Sequence, residues 1–179
     1  DQDYEIVELC GKTGTFRGNC YKCHNKLDRM VYFCKEIDLD MDNEELPAVL
    51  KVQMDIYPSD SDNHFVRYYQ SWVENSKLFM IYEPATFTIA EFNSERKRLS
   101  EKEVRSLLMD ISAGLLNLKE KKDCHHLNIK PENILNCRGR YKLMDMMCTL
   151  PTMQAVMKEP TIYLAPELNG FYFDDRVDL

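Results

Sequence analysis

No stretch of this 179-residue chain is apolar for anything near the roughly 20 residues that a membrane-spanning helix needs, and its charged first residues do not read as a signal peptide. The expectation is a soluble protein of the cell interior, in cytoplasm or nucleus. Positive charge is also scarce: 23 Lys and Arg face 30 Asp and Glu, for a net charge of -7 and a pI near 5.2. Nucleic-acid binding needs clustered Lys and Arg, and the single basic cluster, Arg96-Lys97-Arg98, reads as a solvated approach to a helix. A disulfide framework is missing as well, because the seven cysteines are odd in number and scattered. Internal repeats and low-complexity linkers are absent. What remains is an ordinary globular composition, 44% hydrophobic and 30% charged, long enough for one domain or two small lobes.

The first half is β-rich. Tyr4 to Leu9, Val31 to Ile37, Val66 to Ser71 and Leu78 to Tyr82 carry the β-branched and aromatic bias of strands. Asn43 to Ile56 between them is helix-compatible and is closed by Pro58 and the polar run 59–63. The second half opens on a helix, since Val104, Leu107, Leu108, Ile111, Leu115 and Leu118 recur on one face and Ser100 with Glu103 forms a capping box. Ile134 to Asn136 and Tyr141 to Met144, joined through Arg138-Gly139-Arg140, read as a short hairpin. Strands followed by helix predict an α+β protein of two lobes with a crevice between them.

Three segments carry chemistry: HLNIKPENIL at 126–135, KLMD at 142–145 and YLAPEL at 163–168. In this order and spacing the chain resembles a eukaryotic protein kinase over nearly its whole length, with an expected small lobe at 1–83 and part of a large lobe at 84–179. The resemblance implies binding of ATP and Mg²⁺ and action on a protein substrate. By that pattern Lys35 is the strand-end lysine for the α and β phosphates, Lys130 contacts phosphate, and Asn133 and Asp145 hold magnesium. Glu83 and Ala85 fall where a hinge offers its backbone to adenine, behind Tyr82. Gly11, Gly14 and Gly18 stand for the glycine loop, with one extra residue in each gap.

The departures from the pattern are as informative. The proton acceptor of the catalytic loop is Asn128, whose amide oxygen accepts a hydrogen bond but has no useful basicity. Leu127 replaces the arginine, so a phosphorylated activation segment bearing Thr149, Thr152, Thr161 or Tyr163 lacks its guanidinium partner. Met146 and Met147 replace the Phe and Gly after Asp145. Glu44 and Glu45 lie about two helical turns too early to reach Lys35, which is left without a carboxylate. Asp178 matches the aspartate opening the family's long buried helix one residue before the last, so the expectation is a large lobe lacking its later helices, either a fragment or completed by something else.

Within the family, Leu127, the 139–143 hairpin, Ser71-Trp72-Val73-Glu74 and YLAPEL look most like the Wee1/Myt1 group, which phosphorylates cyclin-dependent kinases. Lys35-Glu36-Ile37-Asp38-Leu39 looks more like the NIMA-related group. Two functions stay open: an ATP-binding kinase domain of weak or absent phosphotransferase activity, or a pseudokinase acting as scaffold or allosteric partner. Cys20-x-x-Cys23-His24 with Cys34, or Cys124-His125-His126, are conceivable zinc ligands. The strand position of Cys20 and Cys23 and the absence of a second C-x-x-C favour buried thiols.

Overall fold

The computed structural model describes residues 3–12, 18–39, 63–95, 97–122, 125–145, 162–163, 165–167 and 175–178. Strands β1 (Tyr4–Lys12), β2 (Gly18–Asn25), β3 (Val31–Asp38), β4 (Tyr68–Glu74) and β5 (Lys77–Tyr82) form one antiparallel sheet of order β1-β2-β3-β5-β4. Asn75 and Ser76 join β4 to β5 with φ of 52° and 57°. Left-handed backbone at both central residues is what a two-residue hairpin needs for its turn to match strand twist. Gly18, at the start of β2, is required by closeness: a Cβ there would stand 1.9 Å from the Glu36 carbonyl oxygen of β3.

Period-two alternation gives the sheet two different faces. On one, the register aligns Cys20, Lys35 and Met80 in one row and Phe33 beside Tyr82 in another. On the other, Cys23, Cys34 and Ile81 are buried against Tyr4, Tyr32, Trp72 and Phe79. Trp72 stacks on Phe79 at 5.3 Å and on Tyr4 at 5.8 Å. Tyr4 and Trp72 sit on the two edge strands, and they meet because the twisted sheet coils on itself.

The second half begins with β6 (Phe87–Thr88), α1 (Ile89–Ser94) and α2 (Glu101–Lys122). Both expected bonds of the Ser100/Glu103 box are made: the Ser100 N–H donates to Glu103 Oε2 at 2.7 Å, and the Glu103 N–H donates to Ser100 Oγ at 3.3 Å. The apolar face of α2 is narrower than the periodicity predicts. Ile111 and Leu118 are buried, whereas Val104 and Leu108 are 40% and 58% exposed, because among the described residues the helix packs mainly along the strand Arg140–Leu143, β8. That strand pairs with β7 (Ile134–Cys137) through a turn in which Arg138 and Gly139 have φ of 54° and 87°. The expected helix within 43–56, with Glu44 and Glu45, lies outside the described residues, as do Gly14, Met146, Met147, Thr149, Thr152 and Thr161.

One hydrophobic core runs through both halves, from Phe33, Met80 and Tyr82 of the large sheet to Ile111, Leu135 and Leu143. Polar ties reinforce it. The Val66 N–H donates to the Leu143 carbonyl at 2.9 Å, and buried Lys142 donates to Glu83 Oε1 and Asn63 Oδ1, each at 2.6 Å. The result is the α+β class expected from the sequence, and the face of the large sheet bearing Lys35 looks onto the loop that precedes β7.

Candidate functional site

Lys35 sits in the middle of β3, paired to β2 and β5, and is 2% exposed. Burying an ammonium is costly unless a carboxylate meets it. That carboxylate is Asp145, 110 residues away, whose Oδ2 accepts from Lys35 Nζ. The sequence leaves Lys35 without an acidic partner; the fold supplies one from the residues after β8. Asp145 reaches this position with left-handed backbone, φ 60°. Its second oxygen, Oδ1, is buried and accepts no hydrogen bond.

The loop at 125–133 is built around main-chain groups. Leu127 is buried with φ 60°, a conformation a branched side chain rarely adopts. It is held there by Asp178, whose carboxylate accepts the N–H groups of His126, at 2.5 Å, and of Leu127, at 2.8 Å. The Asn128 N–H donates to His126 Nδ1 at 3.2 Å. Asn128 Nδ2 donates to the Asp145 carbonyl, and Asn133 Nδ2 donates to the Asn128 carbonyl, both at 2.9 Å. Pro131 opens the short 3₁₀ turn Pro131–Asn133 where its missing N–H costs nothing, and the Asn133 N–H closes it on the Lys130 carbonyl at 2.9 Å. Asn128, Asn133 and Asp145 are thus one hydrogen-bonded unit.

Burial pushes the His126 imidazole down to about 4, against the opposing pull of Asp178 and Asp145. It folds neutral, so its contribution to stability is complete above its ordinary pKa near 6.5 and is lost as pH falls toward 4. At about 1.4 kcal/mol per pKa unit the loss is roughly 3 kcal/mol. The melting temperature should therefore fall between pH 7 and 5, and His126→Gln should flatten that stretch of the profile. An unchanged slope in the variant would assign the acid sensitivity elsewhere.

A cavity of about 250 Å³ opens between the sheet and this loop. Of the expected site residues, Gly11, Lys35, Asn133 and Asp145 line it. Asn128 backs it through its bond to Asp145, and Lys130, half-buried, belongs to the same loop. Gly18, Glu83 and Ala85 are outside the lining. Phe33, Cys20 and Glu91 are inside it, and sequence reasoning did not assign them there. Alternation from Lys35 would have found Phe33. Thr88-Ile89-Ala90-Glu91 would have revealed the start of α1, where Glu91 Oε2 accepts the Thr88 N–H at 2.7 Å in a second capping box.

Cys10 and Cys20 also line the cavity, with thiols pushed up by burial to about 11 and about 12, which keeps them protonated and poor nucleophiles at neutral pH. Cys20 and Cys23 lie on opposite faces of β2, and among the described residues no three His, Cys, Asp or Glu side chains converge as a metal cluster. A hard dication is a different matter. The orphaned, buried Asp145 Oδ1 beside Asn133 is an oxygen donor set suited to magnesium.

Residues 4–175 match the protein kinase domain. The chain is 29% identical to the serine/threonine-protein kinase cst-1 of Caenorhabditis briggsae over 98% of its own length and 36% of that protein's. It is 28% identical to a Wee1-like protein kinase of Oryza sativa subsp. japonica, covering 99% of this chain and 34% of the relative. It is 30% identical to the human Wee1-like protein kinase 2, covering 76% and 25%. The chain thus spans about a third or less of the length of these relatives.

Proposed function

This chain belongs to the protein kinase domain family, and from that premise we propose that it binds magnesium-ATP in the cavity beneath β3 and transfers phosphate poorly or not at all. The observation that carries the reading is that buried Lys35, from the sheet, and Asp145 and Asn133, from the opposite side, line one cavity. Lys35 and Lys130 supply positive charge for the phosphates. Magnesium, held by Asp145 and Asn133, would neutralise phosphate charge when bound. Asn128 orients a hydroxyl without taking its proton. General-base help is worth about 10²–10⁴-fold, while positioning and charge stabilisation carry the rest of phosphoryl transfer, so impairment is strong without having to be complete.

The Wee1-like relatives support a Wee1-like reading of the chain, and on that resemblance the proposed target is a protein, specifically a cyclin-dependent kinase, in cytoplasm or nucleus. Among the described residues no helix is long and apolar enough to cross a membrane. The second reading, a non-catalytic scaffold, draws on Asn128 and on the Lys35–Asp145 pair, which already neutralises the lysine meant for phosphate.

Calorimetric titration with magnesium-ATP tests the first reading: measurable binding is expected, and none would sink it. Asn128→Asp is expected to raise phosphoryl transfer. It is also expected to lower stability by about 1–3 kcal/mol, because the buried Asp145 carbonyl loses its donor and faces a carboxylate. A variant no more active than the parent would move the defect from Asn128 to the engagement of Lys35.

A further inference from the structure

The lysine-bearing strand of protein kinases reads V-A-I-K, with alanine two residues before the lysine. Here that residue is Phe33, a benzyl ring in place of a methyl group. It shares the face of Lys35, stands beside Tyr82 in the register with β5, and lines the cavity while only 5% exposed. Tyr82 is fully buried and belongs to the same core cluster, so the Phe33 ring is backed by packed side chains on the Tyr82 side and faces the cavity on the other.

The expected hinge residues stand away from the cavity as well. Glu83 and Ala85, whose backbone should face adenine, do not border the cavity. The Glu83 N–H is engaged on the Arg67 carbonyl at 2.8 Å, and its carboxylate holds Lys142 at 2.6 Å and the Arg67 N–H at 2.8 Å. What is left, about 250 Å³, falls below the roughly 300–1,000 Å³ of ordinary small-molecule pockets. The charged end keeps Lys35, Asn133 and Asp145, and because Glu91 and Glu132 line the same cavity, a polyphosphate would enter it only with its magnesium.

We propose that Phe33 is a specificity-determining residue that shuts the purine end of the site, so that the protein grips a magnesium-bound polyphosphate chain and leaves the base outside. This rests on the nucleotide reading above and sharpens it: the ligand class becomes a triphosphate recognised without its base.

Calorimetry with two probes, magnesium-ATP and magnesium-tripolyphosphate, tests it on the unaltered chain, Phe33→Ala and Phe33→Val. The unaltered chain should bind both probes within about threefold of each other, and Phe33→Ala should bind ATP about tenfold or more tighter while leaving tripolyphosphate unchanged. If the alanine variant does not fold, the smaller cut in Phe33→Val makes the same comparison. An unaltered chain that prefers ATP by about tenfold overturns the proposal alone, because the base is then being read. Equal ATP affinity across the unaltered chain and the folded variants also overturns it alone. Failure of both probes on every protein overturns the nucleotide reading together with it.

Discussion

Lys35→Met should destabilise the protein by about 3–5 kcal/mol, the cost of stranding one half of a buried ion pair. Lys35 and Asp145 are 2% and 3% exposed, and Asp145 Oδ1 has no hydrogen bond to fall back on. Removing the ammonium therefore leaves a carboxylate with almost no compensation. Methionine keeps the length and apolar stem of lysine, so little of the loss comes from packing. Adding Asp145→Asn should return part of the stability, since it removes the stranded charge and keeps a residue that tolerates the left-handed backbone there. Both variants should lose magnesium-ATP binding. Chemical denaturation midpoints read the first effect and calorimetry the second. A single variant costing under about 1 kcal/mol would mean that water reaches the pair and screens it.

Asp178→Ala should cost at least about 3 kcal/mol, because hydrogen bonds to charged groups contribute about 1.5–3 kcal/mol each and two are lost. The carboxylate satisfies the His126 and Leu127 N–H groups where Leu127 is held at φ 60°. Without it the left-handed residue has no restraint from that side, and the loop should relax away from the cavity. Amide exchange at His126 and Leu127 should quicken by about two decades, the equivalent of that free energy. Exchange on β3 should change little. Uniform acceleration over the whole chain would indicate global loosening and contradict a local clamp. Asp178→Asn, which keeps an acceptor oxygen and loses the charge, should fall between the two.

The sequence carried the local features of this molecule and concealed the distant ones. Strand bias located β3 and β5, Ser100 with Glu103 marked the start of α2, and Arg138-Gly139 marked the β7–β8 turn, because each depends on residues a few positions apart. The catalytic-loop pattern identified Asn128, Lys130 and Asn133 as neighbours for the same reason. Lys35, however, read as lacking a carboxylate, since Asp145 meets it across 110 residues. Asn128 read only as a missing base, whereas its amide is also a structural donor to the Asp145 carbonyl. Val104 and Leu108 read as core because periodicity reports a helix face without reporting how wide a surface waits to cover it. Phe33 falls within the strand bias of Val31 to Ile37, which reports an apolar strand without its cavity face, although a spacing of two from Lys35 places it there.

The separation between Lys35 and Asp145 also sets an order of assembly. Every pairing in the large sheet except β3 with β5 joins strands adjacent in sequence, through hairpins that close quickly. The cavity instead waits for ends 110 and 51 residues apart to meet, at Lys35–Asp145 and at Leu127–Asp178, and longer closures carry a larger entropic penalty before any contact rewards them. Trp72, the lone tryptophan, stacks within the sheet and reports its formation. In refolding, its fluorescence should settle before ligand-binding competence returns, and simultaneous recovery would show that sheet and site fold as one step. On this order the cavity is the last part of the chain to assemble, and it would be the first that any slackening of its distant contacts takes away.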